Sequence, residues 1–183
     1  VLFMRKTVSL TSAVVTVIFA AVAIAMPINM MNTAKSVPPI HDISTDLINP
    51  PKFVAVVPLR ADAPNPVAYA GEETAAQQRE AYPELKPLEY NQTQTELVAA
   101  ITKAMENLGW ELVNSDVNNG IVEATDTTTW FGFKDDVVVR INDKGSKRVV
   151  DIRSKSRIGK SDLGKNAQRI KTLIDELNAV VVE

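Results

Sequence analysis

The chain has 183 residues, a length that suits one domain plus an appendage, and 20 basic residues nearly balance 22 acidic ones. The resulting pI of about 5.5 argues against bulk electrostatic attraction to nucleic acid, which needs a basic surface. The absence of cysteine excludes disulfides, thiolate nucleophiles and cysteine metal sites. A single histidine excludes a multi-histidine metal site within one chain.

A charge-free segment lies near the N-terminus. Residues 7–26 carry no charge, and at about 1.5 Å per helical residue they match the roughly 30 Å hydrocarbon core of a bilayer. Arg5 and Lys6 precede the segment. The positive-inside rule therefore predicts a cytoplasmic N-terminus at residues 1–6 and a single transmembrane helix at residues 7–26. We accordingly expect an inner-membrane protein whose remaining residues lie in the periplasm.

The same segment also fits a cleavable signal peptide, because Ala23-Ile24-Ala25 is an A-x-A site that follows an apolar core. We predict an uncleaved anchor. Small residues spaced three and four apart form one stripe along it, which would allow close helix–helix approach in lipid, although alanine and serine are common in any short anchor. The stripe comprises Ser9, Ser12, Ala13, Thr16, Ala20 and Ala23.

Residues 27–51 form a predicted linker, because five prolines interrupt them and no hydrophobic period is sustained. The linker holds the one histidine, His41, close to Asp42 and Asp46. An imidazole beside two carboxylates could begin a metal site, but no further ligands are apparent and we predict no metal. We favour side chains that cap turns and dock the linker on the domain.

The remaining residues, 52–183, predict a small α+β domain. Short strands are expected at residues 53–57, 85–90, 110–113 and 121–125, with Asn119-Gly120 as a two-residue hairpin turn. A polar surface helix is expected at 72–82. The next helix begins at Thr93, which forms a capping box with Glu96, and the last runs over 163–180 with Ser161 or Asp162 as its cap. The order predicts an antiparallel sheet of four to five strands with two helices packed on one face.

Two further strands form the centre of the predicted domain. Apolar residues alternate with charged ones along 137–141 and 150–157, a period typical of half-buried strands, and Asp143-Lys144-Gly145 supplies the turn between them. The charged face carries a predicted polar network of Asp136, Arg140, Asp151 and Arg153. Adjacent arginines would lower the carboxylate pKa values, which favours a structural network or an anion site over acid–base catalysis.

A turn rich in glycine and basic residues follows the second central strand and leads into the last helix. Free amides at a helix start favour anions, so this turn is a candidate anion site. Its residues are Arg157, Gly159, Lys160, Ser161, Gly164 and Lys165. A P-loop is excluded because Ser154 stands where the motif needs glycine. The alternative, which we favour, is a tight turn held by Asp162 with solvated lysines.

Four aromatic residues flank the central strands, and we predict that they pack in the core and on the sheet rather than form a binding platform. They are Trp110, Trp130, Phe131 and Phe133. No nucleophile motif or cofactor fingerprint is present, so we predict no catalytic residue and no cofactor.

Several separated blocks resemble one known family in the family's own order. They are FGFKDDVVVRI, VVDIRSKSRIGKSDLGKNAQRI, IHDISTDLINPPKF and GIVEATDTTTWFGF, and the resemblance covers roughly residues 40–177. The family is the domain of unknown function DUF1499. The resemblance implies a small α+β domain in bacterial membrane or exported proteins, without an established activity or assigned catalytic residues.

These observations predict a non-enzymatic, single-pass membrane protein. Its extracytoplasmic domain is expected to bind other membrane-protein subunits, or a second copy of itself, as an accessory subunit of a membrane assembly. The alternative is a module that binds a lipid headgroup or a small anion at the turn formed by residues 157–165. An enzyme of unidentified type is a third possibility, and nucleic acid is not an expected partner.

Overall fold

The computed structural model describes residues 9–182, and contacts divide them into two compact units that meet at residues 37 and 38. The first unit is helix α1 (Leu10–Ser36), which Ser9 caps by accepting a hydrogen bond from the amide of Ser12. Within the described part of the chain, α1 is the one helix long and apolar enough to cross a membrane, and it buries none of its residues. The predicted cytoplasmic segment, residues 1–6, and residues 7 and 8 lie outside the described range.

Helix α1 continues ten residues beyond the predicted end at residue 26. Pro27 lies inside this helix. A proline removes one backbone donor and bends a helix, but it does not have to end the helix. Residues 28–36 contain no further proline or glycine, so the helix resumes. The predicted linker over 27–51 is therefore wrong at its start.

The second unit is an α+β domain built on one six-stranded antiparallel sheet, which confirms the predicted fold class. The strand order is β1-β6-β5-β4-β3, and β2 pairs with the same edge of β6 as β1, further along. The strands are β1 (Asp42–Ser44), β2 (Leu88–Tyr90), β3 (Glu111–Asp116), β4 (Ile121–Thr127), β5 (Lys134–Asp143) and β6 (Arg148–Ser156). The helices are α2 (Glu72–Ala81), α3 (Gln94–Asn107) and α4 (Lys165–Val182).

Helices α3 and α4 pack on one face of the sheet, as predicted, and this face holds the main hydrophobic core. Thr93 and Glu96 form the expected capping box, and the apolar stripe of α3 is buried. Leu173 and Leu177 of α4 are fully buried against the sheet side. The apolar residues that repeat with the helical period of 3.6 are therefore the ones that both helices bury against the sheet.

The β3–β4 hairpin turn also follows the sequence signal. Gly120 has a φ of 62°, a left-handed conformation that glycine adopts without steric cost. A Cβ at this position would lie 2.9 Å from the carbonyl oxygen of Ile141 in β5. Glycine is therefore required here both by conformation and by close packing.

Two predicted elements differ in the structure. Residues 53–57 do not form a strand, because the amides of Val54 and Ala55 bind the carboxylate of Glu123 instead of a neighbouring strand. Residues 55–57 form a turn that leads into a single 3₁₀ turn, Pro58–Arg60. Strand β1 lies inside the predicted linker, where it pairs with residues 153–155 of β6. The sequence did not predict this short strand, because prolines precede and follow it.

The second face of the sheet is also buried, contrary to the prediction of half-buried central strands. The chain segment 46–70 covers it, and Val138 of β5 packs there against Phe53 and Val56 in a small second cluster. Helix α2 lies beside β1, where buried Gln78 bonds both the amide (3.0 Å) and the carbonyl oxygen (2.6 Å) of Ser44. Helix α2 is thus docked through a polar residue.

Candidate functional site

A layer of charged side chains lies between the sheet and segment 46–70. We call it the charged layer. It contains five cations and five carboxylates, so its formal charge is balanced. The cations are Arg60, Arg140, Arg153, Lys155 and Arg157, and the carboxylates are Asp42, Asp46, Glu123, Asp136 and Asp151.

The centre of one group in this layer is Asp42, which is fully buried. Arg153 binds its carboxylate through two nitrogens at 2.8 and 2.9 Å, and the ammonium of Lys155 lies 2.9 Å from the same carboxylate. Burial lowers the pKa of Lys155, and the charge of Asp42 opposes that shift. The pairing with Asp42 thus offsets the desolvation cost of burying the two cations.

Segment 46–70 closes over this group by contacting the same cations. The guanidinium of Arg153 lies 4.9 Å from the ring centre of Phe53 and 5.3 Å from that of Tyr69, in cation–π geometry. It also donates to the carbonyl oxygens of Pro51 and Val67. Burial raises the pKa of Tyr69 to about 12, so the phenol stays neutral.

A second group surrounds Asp136, which is also fully buried. It accepts hydrogen bonds from Arg60, from Arg157 at 2.8 and 2.9 Å, and from the hydroxyl of Thr125 at 2.7 Å. Burial alone would raise the pKa of Asp136, but the bonds from Arg157 and Thr125 outweigh it and lower the pKa. The carboxylate therefore stays ionised and acts as a fixed acceptor rather than a proton carrier.

A third group joins the start of segment 46–70 to the sheet. Arg140 donates to Asp151 at 2.7 Å and to Asp46 at 3.0 Å. Burial would raise the pKa of Asp46, but hydrogen bonds from the amides of Asn49 and Ile48 and from Arg140 lower it. The result is a rigid turn fixed to β5 and β6.

All four residues of the predicted network lie in the charged layer, but they do not form one network. Arg140 and Asp151 bind each other, whereas Arg153 binds Asp42 and Asp136 binds Arg60 and Arg157. Sequence reasoning placed Lys155 and Arg157 on the correct face of β6. It missed the roles of Asp42, Arg60 and Glu123, which come from segments that show no period.

The structure brings the candidate anion site together as a turn, but its own side chains occupy the binding groups. Arg157 faces inward to Asp136, and the carboxylate of Asp162 accepts the amides of Gly164 (2.8 Å) and Asn166 (2.7 Å) at the start of α4. Ser161 accepts the amide of Leu163. Lys160 and Lys165 remain exposed. A tight turn held by Asp162 is thus the arrangement observed.

The last helix begins at Lys165, two residues later than predicted. Leu163 and Gly164 both have positive φ values, 54° and 80°, which end the turn before a helix can start. Burial raises the pKa of Asp162, partly opposed by the bonds from the Asn166 and Gly164 amides. Asp162 therefore differs from Asp136, because none of the cations at residues 9–182 forms an ion pair with it.

The aromatic residues of the β4–β5 loop are not in the core, contrary to the prediction. Trp130 is 89% exposed, Phe131 68% and Phe133 49%, and the rings of the two phenylalanines stack at 5.5 Å. The loop is itself ordered, since Thr128 and Phe133 bond each other through both backbone and hydroxyl groups. Only Trp110 packs against the core as expected.

An open groove of about 540 Å³ lies between the segment that follows β1 and the segment that precedes β2. Residues 45–48 line one side, and Tyr82, Pro83, Leu85 and Pro87 are among the residues on the other. Ile48 stands at this groove with 98% of its surface exposed. The groove thus joins apolar walls to an exposed apolar side chain.

Chemically, the charged layer is suited to holding backbone segments in place. Each of its charged groups contacts an opposite charge or backbone amides, and the lowered pKa of Asp136 keeps that carboxylate ionised. Among residues 9–182, no group of histidine and carboxylate side chains has metal-binding geometry. His41 instead lies 3.3 Å from the carbonyl oxygen of Lys160 through Nδ1.

Comparison with known proteins identifies a family. No curated protein matches the chain. A family described as "Protein of unknown function (DUF1499)" matches residues 42–177, a range that begins at the first residue of β1 and ends inside α4. This range contains the whole sheet and the charged layer, so the chain belongs to the DUF1499 family.

Proposed function

We propose that this protein is a non-enzymatic, single-pass membrane protein whose domain binds another protein subunit of a membrane assembly. The observation that carries the proposal is the presentation of Ile48 beside the groove. An isolated exposed isoleucine is ordinary, but one fixed on a rigid turn at the mouth of an apolar groove has the form of an interface anchor.

The turn that presents Ile48 is held on two sides. The carboxylate of Asp46 accepts the amides of Ile48 (3.0 Å) and Asn49 (2.9 Å), and its other oxygen binds Arg140 of β5. Such a turn loses little further conformational freedom when a partner covers it, which lowers the entropic cost of binding. The isoleucine is thus preorganised for contact.

The chemistry of the groove fits a protein segment better than a polar metabolite. Proline, tyrosine and leucine side chains form its walls, while Asp46, Arg79 and Lys86 stand among its lining residues. An apolar centre with a charged rim is the usual composition of a protein–protein contact. The occupant we propose is an apolar segment of a different membrane-protein subunit.

The membrane part of the proposal rests on α1. A helix of 27 residues is about 40 Å long, enough to cross the hydrocarbon core and reach both headgroup regions. We propose that it is retained as an anchor in the inner membrane with the N-terminus inside, because Arg5 and Lys6 precede it. The domain then lies in the periplasm.

A photo-crosslinking amino acid placed at Ile48 tests the proposal in cells. The expected result is a discrete adduct with a second membrane protein, identified by mass spectrometry, and no adduct from the same probe at Glu111, an exposed residue on the opposite edge strand. An adduct with a second copy of this chain would assign the groove to self-association. Equal labelling at both positions would contradict a specific partner site.

A further inference from the structure

One end of the sheet collects features that the groove does not use. At this end β4 finishes, β5 begins and β6 finishes, since Thr127 pairs with Lys134 and Asp135 pairs with Ser156. The β4–β5 loop and the β6–α4 turn both project from it. We call this the loop end of the sheet, and it lies opposite the β5–β6 hairpin turn at residues 144–147.

Exposed apolar side chains are concentrated at the loop end. Trp130 and Phe131 project from the loop, and Phe133 lines a hollow of about 270 Å³ together with Leu59 and Ile158. Each of the last three is about half exposed. Because Phe131 stacks on Phe133, the two phenylalanines, Leu59 and Ile158 form an apolar surface contributed by three separate segments of the chain.

Basic side chains border this apolar surface. Lys134 lines the same hollow, and Lys160 and Lys165 are exposed on the neighbouring turn. The nearby carboxylates of Asp136 and Asp162 are engaged by Arg157 and by the amides of α4. Asp126 and Asp135 share Arg169. Exposed Asp62 is a carboxylate on the rim of the hollow. The border is therefore positive on balance.

The chain also enters the domain at the loop end. The carbonyl oxygen of Ile40 accepts the amide of Asp162, and that of His41 accepts the amide of Ser156. In the sequence, one residue separates the end of α1 at Ser36 from Pro38, the first residue of the second unit. The chain that follows α1 thus joins the domain at the loop end.

We propose that the loop end of the sheet docks on the surface of an anionic bilayer. Trp130 and Phe131 lie at the depth of the headgroups, where amphipathic aromatic side chains are enriched, and Lys134 and Lys160 contact lipid phosphates. Because the domain is tethered, weak contacts suffice, since the effective lipid concentration is already high. This inference rests on the proposed retention of α1 as an anchor, but not on the partner at Ile48.

One observation favours a bilayer over a protein at this end. The aromatic side chains project outward rather than forming a pocket, and the lysines surround them, which is the arrangement of an interfacial contact rather than a shape-matched one. A protein partner here is thus an outcome that the test must separate.

The test uses the full chain reconstituted in vesicles of phosphatidylcholine and phosphatidylglycerol. Trp110→Phe leaves Trp130 as the single tryptophan, and its fluorescence is compared between vesicles with and without brominated acyl chains. We expect brominated lipid to reduce the emission about twofold, because the ring lies at interface depth. The matched control carries Trp110→Phe, Trp130→Phe and Ser146→Trp, which moves the tryptophan to the opposite end, and should be unaffected.

The lysines give a second readout. Lys134→Gln and Lys160→Gln should each lower the ratio of docked to undocked domain about fivefold on anionic vesicles, with no effect on pure phosphatidylcholine. Both residues are exposed, and circular dichroism checks that the variants fold. If aqueous iodide quenched the fluorescence of Trp130 as strongly as that of the tryptophan in the Ser146→Trp control, the inference would be overturned.

Protection of Trp130 from iodide without quenching by brominated lipid would assign the loop end to a protein contact and also overturn the inference. Either result leaves the crosslinking at Ile48 intact. A chain that fails to stay in the vesicles, by contrast, would contradict the anchor in the proposed function itself.

Discussion

The two faces of the sheet are both buried, but the chemistry that buries them is opposite. Helices α3 and α4 cover one face mainly with leucine, isoleucine and valine side chains. At one end of this face α4 also buries Arg169 and Asn166, which bond Asp135 and Ser154. Segment 46–70 covers the other, where buried arginine, lysine and carboxylate side chains outnumber the three-residue apolar cluster of Phe53, Val56 and Val138. Apolar burial stabilises the first face without directional bonds, whereas ionic groups must be matched individually.

The reason lies in the backbone of the covering element. Helices satisfy their own amides and carbonyls, so they need only an apolar surface beneath them. Segment 46–70 has little regular structure, and the sheet supplies its missing partners: Glu123 accepts two amides, and Arg153 and Lys155 donate to the carbonyls of Pro51, Val67 and Ala68. The charged layer thus does for a loop what internal hydrogen bonds do for a helix.

The largest expected effect comes from removing the central carboxylate of the charged layer. Asp42→Ala leaves Arg153 and Lys155 buried without their counter-ion and should destabilise the domain by about 3–5 kcal/mol. The measurement is urea denaturation of residues 38–183, followed by fluorescence. Glu89→Ala, which removes an exposed ion pair with Lys147, is the control and should cost about 0–1 kcal/mol. Equal effects would show that the layer contributes no more than surface pairs do.

The apolar face should respond nearly as strongly, but through a cavity. Leu173→Ala removes a fully buried side chain of α4 and should cost about 2–5 kcal/mol through lost burial and the cavity left behind. Asp175→Ala, an exposed change on the same helix, should stay within about 0.5 kcal/mol. A Leu173→Ala midpoint equal to wild type would mean that α4 is not docked on the sheet as described.

The contrast also explains what the sequence could and could not predict. The helix-covered face was predictable because its signals are periodic: the stripe of α3, the apolar face of α4 and the alternation in β5 and β6. The loop-covered face depends on pairings such as Asp42 with Arg153, which are 111 residues apart. No local pattern reports such a partner, so Asp42 suggested a turn cap or a metal ligand, and Arg60 suggested nothing.

The burial of β6 on both faces was also not predictable. Its alternation of apolar and charged residues is the usual sign of one solvated face, and the charged face here is buried only because segment 46–70 returns over it. The exposed aromatic loop shows the converse error. Trp130 and Phe131 have large aromatic side chains of the kind usually found in a core, but no element covers them within the described chain.

A smaller effect separates the groups within the charged layer. Arg140 and Asp151 share a bond of 2.7 Å, so a double-mutant cycle with Arg140→Met and Asp151→Leu should give a coupling energy of about 0.5–3 kcal/mol. Arg153 binds Asp42 rather than Asp151, so the cycle of Arg153→Met with Asp151→Leu should give a smaller value. Equal coupling in the two cycles would restore the single network that the sequence predicted.

The smallest expected effect is a difference in pH dependence between Asp136 and Asp162. The pKa of Asp136 is lowered below 3.8 in the folded state, so the unfolded state binds its proton first as the pH falls. The stability that Asp136 contributes is therefore fully present above 3.8 and is lost below it, as the pH passes through the folded value. The gap in unfolding free energy between wild type and Asp136→Asn should narrow in that acid range.

Asp162 should give the opposite sign. Its pKa is raised above 3.8, so the folded state binds the proton first, and wild type should gain stability relative to Asp162→Asn as the pH falls from neutral towards 3.8. Both differences come from urea titrations of residues 38–183 at a series of pH values. Parallel curves for Asp136→Asn and Asp162→Asn would mean that the arginines around Asp136 do not offset the effect of burial on its pKa. The pairing of opposite charges in the charged layer would then not keep this carboxylate ionised.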